Sequence, residues 1–420
     1  MSCPSESALP ATPTLEPRDS TTSWGLVVTL GAMSACGPFA IDTYLPAFPQ
    51  IARDLHTPLG NVQLTLSVFL LGLATGQVFW GTLSDHLGRR LPLLAGTLLY
   101  AGSAAACASA ESIGVLILAR FLMGLGGSAG AVLSRAIVRD LYTEDHAARF
   151  FSLLMIIGGI APIIAPSLGS ILLAYGDWHV VFWIVSAFGV LCAAAIACRV
   201  PETLTPARRL RGHVGAVFQG YLHVLGHGQF LKQATAIGLT SGVLFAYIAS
   251  APVVYMELFG VSPRHFGFCF AANAVGLYAA GQLNRYLLTR FSSRTILIYA
   301  TRLNVLACLL LAGIAGTRWG GLPAFAGVLW VCIASLALVF PNATAAAMAP
   351  FADQAGSASA VLGVLQFAIG AASGALVGQL PGSTALPMAG VIAACSFGAC
   401  TLLGGLGWQV TVAKRCVDRL

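Results

Sequence analysis

One carboxylate and two guanidinium groups lie inside long apolar stretches of this sequence. One of the arginines, Arg302, lies near the cytoplasmic end of its span, from where its side chain can reach the headgroups, so we expect it to be structural. The other two charges are deeper. Asp42 follows the apolar run that begins at Trp24, and Arg120 belongs to the run that begins at Ile113. A charge in a hydrocarbon environment costs at least a few kcal/mol, so we expect both to be kept for a function. We predict that the two side chains lie at similar depth and face a shared polar cavity, where they could bind a proton or substrate. A structural salt bridge or an outer-gate contact is the alternative.

These stretches dominate the whole chain. Of its 420 residues, 57% are hydrophobic and 9% are charged, whereas soluble domains carry about 25% charged residues. The composition therefore excludes an ordinary soluble enzyme. Because a helix needs about 20 apolar residues to cross a bilayer, we predict an all-α membrane protein with twelve transmembrane helices in two six-helix bundles. The expected spans are 24–46, 61–83, 91–110, 113–134, 151–174, 178–198, 230–256, 266–289, 294–315, 322–347, 357–379 and 385–409.

The apolar runs divide the chain into five parts. We expect a disordered cytoplasmic tail over 1–22, an N-terminal six-helix bundle over 23–198, a cytoplasmic linker over 199–229, a C-terminal six-helix bundle over 230–410 and a cytoplasmic tail over 411–420. The spacing of apolar residues in the linker predicts an amphipathic helix on the membrane surface; a plain solvated linker is the alternative. Its apolar face comprises Val214, Val217, Phe218, Tyr221, Leu222 and Leu225.

Basic residues predict the orientation and limit the energy source. With both termini in the cytoplasm, the outer loops hold only Arg53, Arg264 and Arg318 of the 22 Lys and Arg, as the positive-inside rule requires. The net charge of +7 is therefore a topology signal and indicates no nucleic-acid partner. Neither of the two lysines, Lys232 and Lys414, lies in a phosphate-binding loop motif. We expect no ATP binding, no cofactor and no metal.

The loop between the second and third predicted spans reads Gly81-Thr-Leu-Ser-Asp85-His-Leu-Gly88-Arg89-Arg90. A turn with two glycines brings the two helices close together. Asp85 could cap a helix N-terminus, and Arg89 could pair with an acid such as Asp140. We predict a breakable cytoplasmic latch made of Gly81, Asp85, Gly88, Arg89, Arg90 and Asp140.

This loop resembles the signature loop of the major facilitator superfamily. Arg120, followed by Gly124, Gly126 and Gly127, is similar to the fourth-span pattern of the superfamily. The fifth span resembles the Gly/Pro-rich span of drug/proton antiporters, in which small residues permit close packing between the halves and prolines bend the helix. The positions that match this fifth-span motif are Gly158, Gly159, Pro162, Pro166 and Gly169.

Two further segments resemble the Bcr/CflA family of drug exporters. They are the stretch Asp42-Thr-Tyr-Leu-Pro46-Ala-Phe-Pro-Gln-Ile-Ala-Arg-Asp54-Leu in the first span and Phe340-Pro-Asn342-Ala-Thr in the tenth. The resemblance implies proton-driven export of small antibacterial compounds across a bacterial inner membrane. It makes Asp42 the proton-titrating acid and Arg120 its coupled partner. Asn284 departs from the pattern, because it stands in the C-terminal loop where the N-terminal copy has Asp85.

A transporter of this fold needs a substrate cavity near the bilayer midplane. Aromatic and amide side chains suit amphipathic compounds, and the predicted wall residues are Phe39, Tyr44, Gln63, Phe69, Tyr247, Tyr255, Asn273, Asn342, Gln366 and Phe367. We expect the partners to be a small-molecule substrate, protons and lipid, and the protein to act as a monomer and not as an enzyme. A transporter of a nucleoside or sugar is the alternative within the fold. A membrane-embedded enzyme or receptor would need a catalytic pair or a signalling domain, and the sequence has neither.

Overall fold

The computed structural model describes residues 24–142, 144–204, 214–380 and 384–404, and within these ranges every regular element is helical. The N-terminal half contains α1 (Trp24–Asp42), α2 (Phe48–Asp54), α3 (Leu59–Leu87), α4 (Arg90–Ala108), α5 (Ile113–Leu141), α6 (Glu144–Tyr175) and α7 (Trp178–Arg199). The linker contains α8 (Val214–Gly226). The C-terminal half contains α9 (Gly228–Pro252), α10 (Pro263–Leu288), α11 (Ser293–Thr317), α12 (Gly321–Met348), α13 (Ala355–Gln379) and α14 (Leu386–Leu402).

All twelve predicted spans fall on helices. Within the described ranges, eleven helices are long and apolar enough to cross a membrane, and the twelfth predicted span corresponds to the shorter apolar helix Leu386–Leu402. The all-α membrane fold with two bundles is therefore confirmed. The predicted tails 1–22 and 411–420 lie outside the described residues, as do 205–213 of the linker.

Polar caps and glycines set several helix ends. The side chains of Ser112, Asp177 and Ser292 accept hydrogen bonds from backbone N–H groups in the first turns of α5, α7 and α11, which satisfies donors that a helix start leaves unpaired. Gly88, with a φ of 97°, ends α3. Glycine fits there because it has no Cβ to oppose a positive φ.

The first span is interrupted, which the prediction of a continuous span over 24–46 missed. After α1 ends at Asp42, the chain bends at Thr43 and Tyr44, makes a short 3-10 turn over Leu45–Ala47 and continues as α2. Pro46 has no N–H to bond the carbonyl oxygen of Asp42 four residues earlier, so the α-helical ladder cannot continue. The break leaves Asp42 at a helix end that is buried inside the protein.

The two halves meet along α3 against α13 and along α6 against α10. We name the end of the bundle that carries Gly81–Arg90 the loop end, and the end that carries Asp42 the acid end. At the acid end the halves touch: Gln63 donates a hydrogen bond to the carbonyl oxygen of Ala249, at 3.1 Å. A Cβ on Gly60 would clash with the carbonyl oxygen of Gly378. The halves are thus closed against each other at the acid end.

Helix α8 attaches mainly to the C-terminal half. Val224 is buried among apolar residues of that half, and His223 Nδ1 lies 3.1 Å from Gln354 Oε1. Leu222 and Leu225 are 53% and 41% exposed, on the face predicted to meet the membrane surface. The side chains of Val214, Val217 and Phe218 lie outside the described residues. The helix is therefore present as predicted, and its membrane contact stays a prediction.

Candidate functional site

Arg120 is held by aromatic rings inside the N-terminal half. Its side chain is fully buried, and its guanidinium carbon lies 4.2 Å from the ring centroid of Tyr44, 4.3 Å from that of Phe69 and 5.8 Å from that of Phe182. Ring faces attract a cation electrostatically. Nη1 also donates to the carbonyl oxygen of Ala40 at 3.1 Å, whereas Nε and Nη2 have no hydrogen-bond partner.

Asp42 is buried but is not paired with Arg120. It is 3% exposed, and its Oδ1 has no hydrogen-bond partner. No ion pair joins Asp42 to Arg120, but Asp42 lies within electrostatic reach of Tyr247 on α9. Asp42 and Arg120 therefore do not pair in this conformation, in which the ring of Tyr44 lies over the guanidinium. Their shared cavity stays a prediction. Their roles in proton coupling stay predictions.

Tyr247 and Asn273 extend the buried polar region into the C-terminal half. Tyr247 stacks on Phe270 with ring centroids 5.4 Å apart, and its hydroxyl has no hydrogen-bond partner. Asn273 donates to the carbonyl oxygen of Cys269 at 3.1 Å, but its Oδ1 is also unpartnered. An unsatisfied buried polar atom costs about 1–3 kcal/mol. Asp42, Tyr247 and Asn273 thus contribute one such atom each, and this group calls for a functional explanation.

The loop end of the N-terminal half is held by charges. Arg89 Nη1 lies 2.6 Å from Asp85 Oδ1, and Arg89 Nε lies 3.0 Å from Asp140 Oδ2. Nη1 also donates to Ser84 Oγ at 2.8 Å. Burial lowers the pKa of Arg89, but its hydrogen bonds and charge interactions with Asp85 and Asp140 outweigh burial and raise that pKa overall. The predicted pairing with Asp140 is present; its action as a latch stays a prediction.

Glu202 completes this network, and sequence analysis missed it. Its carboxylate accepts hydrogen bonds from the backbone N–H groups of Arg89 and Arg90, at 2.8 and 3.3 Å. It therefore caps the start of α4, a role that sequence analysis assigned to Asp85. A side chain at position 88 would clash with it. No local spacing could reveal this contact, because 113 residues separate Glu202 from Arg89.

The loop end of the C-terminal half has a neutral counterpart. Asn342 Nδ2 donates to Asn284 Oδ1 and to the carbonyl oxygen of Leu338, both at 2.7 Å. Ser293 Oγ donates to Asn342 Oδ1 at 2.7 Å. The set joins α10, α11 and α12 in the way that Asp85, Arg89 and Asp140 join α3, α4 and α5. Asn342 was predicted to line a midplane cavity; it belongs instead to this buried network.

The other predicted cavity residues fall in several places. Tyr44 and Phe69 surround Arg120, Gln63 bridges the halves, and Tyr247 and Asn273 lie near Asp42. Phe39 packs against Phe188 and Phe367 against Phe245, with centroids 5.0 and 6.0 Å apart. Tyr255 packs against Phe266, and Gln366 is half-buried. In this conformation the ten predicted residues do not form a common wall.

The residues of the fifth-span motif differ in how closely they approach neighbouring helices. Gly169 approaches the first span so closely that a Cβ would clash with the carbonyl oxygen of Thr43, next to Asp42. A Cβ on Gly158 would meet nothing within 4 Å, and one on Gly159 would lie 3.9 Å from the ring of Tyr278. Pro162 and Pro166 lie inside α6. In this conformation the close packing expected of the motif occurs at Gly169 and is absent at Gly158.

A cleft of about 500 Å³ opens between the halves at the loop end. Its walls come from α3 and α5 on one side and from α13 on the other, with Tyr221 of α8 at its edge. Gly81, Asp85 and Arg89 of the predicted latch line it, and none of the ten predicted cavity residues does. The space between the halves is therefore open at the loop end and closed at the acid end.

The family model of the Major Facilitator Superfamily matches residues 30–375. The chain belongs to that superfamily. It is 35% identical over 372 residues to the "Uncharacterized MFS-type transporter YdgK" of Bacillus subtilis, covering 87% of this chain and 91% of that one. It is 32% identical to the "Bicyclomycin resistance protein homolog" of Haemophilus influenzae, covering 94% of this chain and 97% of that one. This relative places it in the Bcr/CflA family of the superfamily.

Further relatives and solved structures agree with that assignment. The "Multidrug resistance protein MdtL" of Salmonella heidelberg is 28% identical, covering 90% of this chain and 94% of that one. The human organic anion transporter MFSD10 has a TM-score of 0.66 at 18% identity, covering 91% of this chain and 100% of that one. A bacterial homologue of the human lysosomal transporter Spinster has a TM-score of 0.64 at 15% identity, with 92% and 95% covered. The structures establish the fold alone. The chain is a multi-pass transporter of the bacterial inner membrane.

Proposed function

We propose that this protein exports small amphipathic antibacterial compounds across the bacterial inner membrane in exchange for protons. The drug-resistance names of two relatives support the substrate class. The observation that carries proton coupling is the position of Asp42, whose carboxylate is buried between the halves with one oxygen unpartnered. We further propose that the loop end and both termini face the cytoplasm.

The burial of Asp42 links its charge to closure of the acid end. An ionised carboxylate transferred from water into this contact, with one oxygen unpaired, would lose several kcal/mol of hydration. Closure therefore favours the neutral acid. A proton taken from outside neutralises Asp42, the acid end closes, and the loop end opens to the cytoplasm. Release of that proton inward accompanies substrate binding.

The test is proton movement in everted membrane vesicles that contain the full chain. Phenicols, bicyclomycin-like compounds and nucleosides are added in turn, and luminal pH is followed with a fluorescent probe. We expect drug-triggered proton release from wild type and none from Asp42→Asn. The matched control is Asp54→Asn, an exposed acid on the same broken span, which should retain the response.

Two results would contradict the proposal. Retained coupling in a folded Asp42→Asn variant would remove Asp42 from the mechanism. A response to nucleosides alone would identify a metabolite transporter of the same fold and overturn drug export.

A further inference from the structure

The cleft at the loop end carries an excess of positive charge. Its lining includes Arg89, Arg135 and Arg139 against one acid, Asp85. Asp85 lies 2.6 Å from Arg89, which also pairs with Asp140, so these three residues together carry one negative charge. Arg135 and Arg139 add two positive charges and still leave the cleft net positive. Neither Arg135 nor Arg139 forms an ion pair with any carboxylate of the described residues. Two arginines therefore remain to set the charge of the cleft.

These two arginines lie one turn apart on the same face of α5. Like charges at this spacing repel each other and destabilise a helix. Arg135 Nε donates to the carbonyl oxygen of Ala131 on its own helix, at 2.9 Å. Both side chains are exposed and line the cleft. An anion placed between them would relieve the repulsion and accept charge-assisted hydrogen bonds.

The rest of the lining suits an amphipathic molecule better than a bare ion. Val132, Ala136 and Ala360 contribute apolar surface, and Tyr221 contributes a ring. Gln77, Ser357 and Ser359 add neutral polar groups from both halves. A volume of about 500 Å³ lies within the range of small-molecule sites.

We propose that this cleft binds amphipathic compounds through an acidic group held by Arg135 and Arg139, so that the protein prefers anionic over cationic substrates. The proposal rests on the function proposed above and names the substrate class of that transporter. A cleft lined by charge of one sign concentrates ligands of the opposite sign. The same field disfavours lipophilic cations.

Topology alone does not explain these arginines. The positive-inside rule asks for basic residues near the cytoplasmic ends of the spans; it does not require two of them to face one cleft. Lys232 and Arg290 lie at the same end, on α9 and after α10, outside the cleft lining. Their joint replacement removes the same charge and therefore makes a matched control.

The test measures binding of two dyes that share a xanthene frame, anionic fluorescein and cationic rhodamine 123. Fluorescence anisotropy is recorded with the purified full chain in detergent and in phosphatidylcholine nanodiscs, with and without phosphatidylglycerol. We expect fluorescein to bind wild type about tenfold more tightly than rhodamine 123, and R135Q/R139Q to lose about tenfold in fluorescein affinity. The control K232Q/R290Q should change that affinity less than about twofold.

Several outcomes would overturn the proposal: equal or tighter binding of rhodamine 123, binding of neither dye by the folded chain, or an equal loss in the control. Competition by inorganic phosphate as effective as that by fluorescein would indicate a plain anion site. If the arginines affect only binding of phosphatidylglycerol in nanodiscs, the cleft holds a lipid headgroup and not substrate.

Failure of this inference is distinguishable from failure of the proposed function. Drug-triggered proton release that requires Asp42 but favours cations would overturn the anionic preference and leave export intact. Binding of fluorescein that depends on Arg135 and Arg139, without any coupled transport, would overturn proton-coupled export and leave the anionic preference intact.

Discussion

The two halves share a helical plan but stabilise their loop ends by different chemistry. In the N-terminal half, Arg89 joins α3 and α5 through ion pairs with Asp85 and Asp140, whose side chains are 37% and 23% exposed. In the C-terminal half, Asn342 joins α10 and α11 through neutral hydrogen bonds, and it is 2% exposed. Salt weakens a partly exposed network of charges, whereas it has little effect on a buried network of neutral hydrogen bonds.

The interiors of the two halves also differ in whether their buried polar residues are charged or neutral. The described spans of the N-terminal half bury the charged side chains of Asp42 and Arg120. Those of the other half bury four neutral asparagines, Asn273, Asn284, Asn304 and Asn342. Asn304 bonds Cys332, Ser335 and Ser396 of neighbouring helices. We infer that the elements that respond to charge lie in the N-terminal half.

The largest expected effect is on the neutral network. Asn342→Leu leaves Asn284 and Ser293 without their buried partner, so we expect a loss of about 2–5 kcal/mol in the free energy of unfolding. Thermal unfolding of the purified protein in detergent checks this. Ser293→Ala removes one hydrogen bond and should cost about 1 kcal/mol. Equal and small losses in both variants would show that the C-terminal network is not structural.

Introducing an acid into the neutral network is the next test. Asn284→Asp gives this half the residue type that the other half has at Asp85, but in a site that is 4% exposed. Burying the ionised form is unfavourable, so unfolding stability should fall by about 2 kcal/mol at pH 8 and less at pH 5, where more of the carboxyl is protonated. The opposite pH dependence would mean that a cation reaches the site.

The charged network should affect conformation more than stability. Asp85→Asn weakens the hold on Arg89 by about 1 kcal/mol or less, because the pair is partly exposed. We expect altered labelling of a cysteine introduced at Ser357 in the cleft, in a cysteine-depleted background. In wild type, high salt should shift the labelling the same way, and in Asp85→Asn the salt effect should shrink. An unchanged labelling rate would argue against a latch.

The smallest effect is expected at Glu202. Glu202→Gln keeps a hydrogen-bond acceptor at the start of α4 but removes the charge that favours a helix N-terminus, at a cost of about 0.3–1 kcal/mol. Glu202→Ala removes both and should cost about twofold more. Unfolding measured under identical conditions compares the two. If the two variants lose the same free energy of unfolding, the charge of Glu202 rather than its hydrogen bonds accounts for the cap.

Much of this protein follows from the sequence because a bilayer leaves few alternatives. Apolar runs of about 20 residues must become helices, since each backbone N–H and C=O needs an internal partner in hydrocarbon. The twelve spans, the two halves and the isolation of Asp42 and Arg120 were therefore readable in advance. The pairing of Arg89 with Asp140 was readable because the loop motif and the end of the fourth span must meet at one end of the bundle.

Tertiary structure alone decided which neighbours these residues have. Equal depth did not bring Asp42 to Arg120, because Pro46 breaks the helix and the ring of Tyr44 occupies the place beside the guanidinium. Asn342 joined a network at the loop end instead of a cavity wall, and Glu202 reached Arg89 across 113 residues. Hydropathy fixes the depth of a residue along the membrane normal, whereas rotation and bending of each helix decide which way its side chain faces.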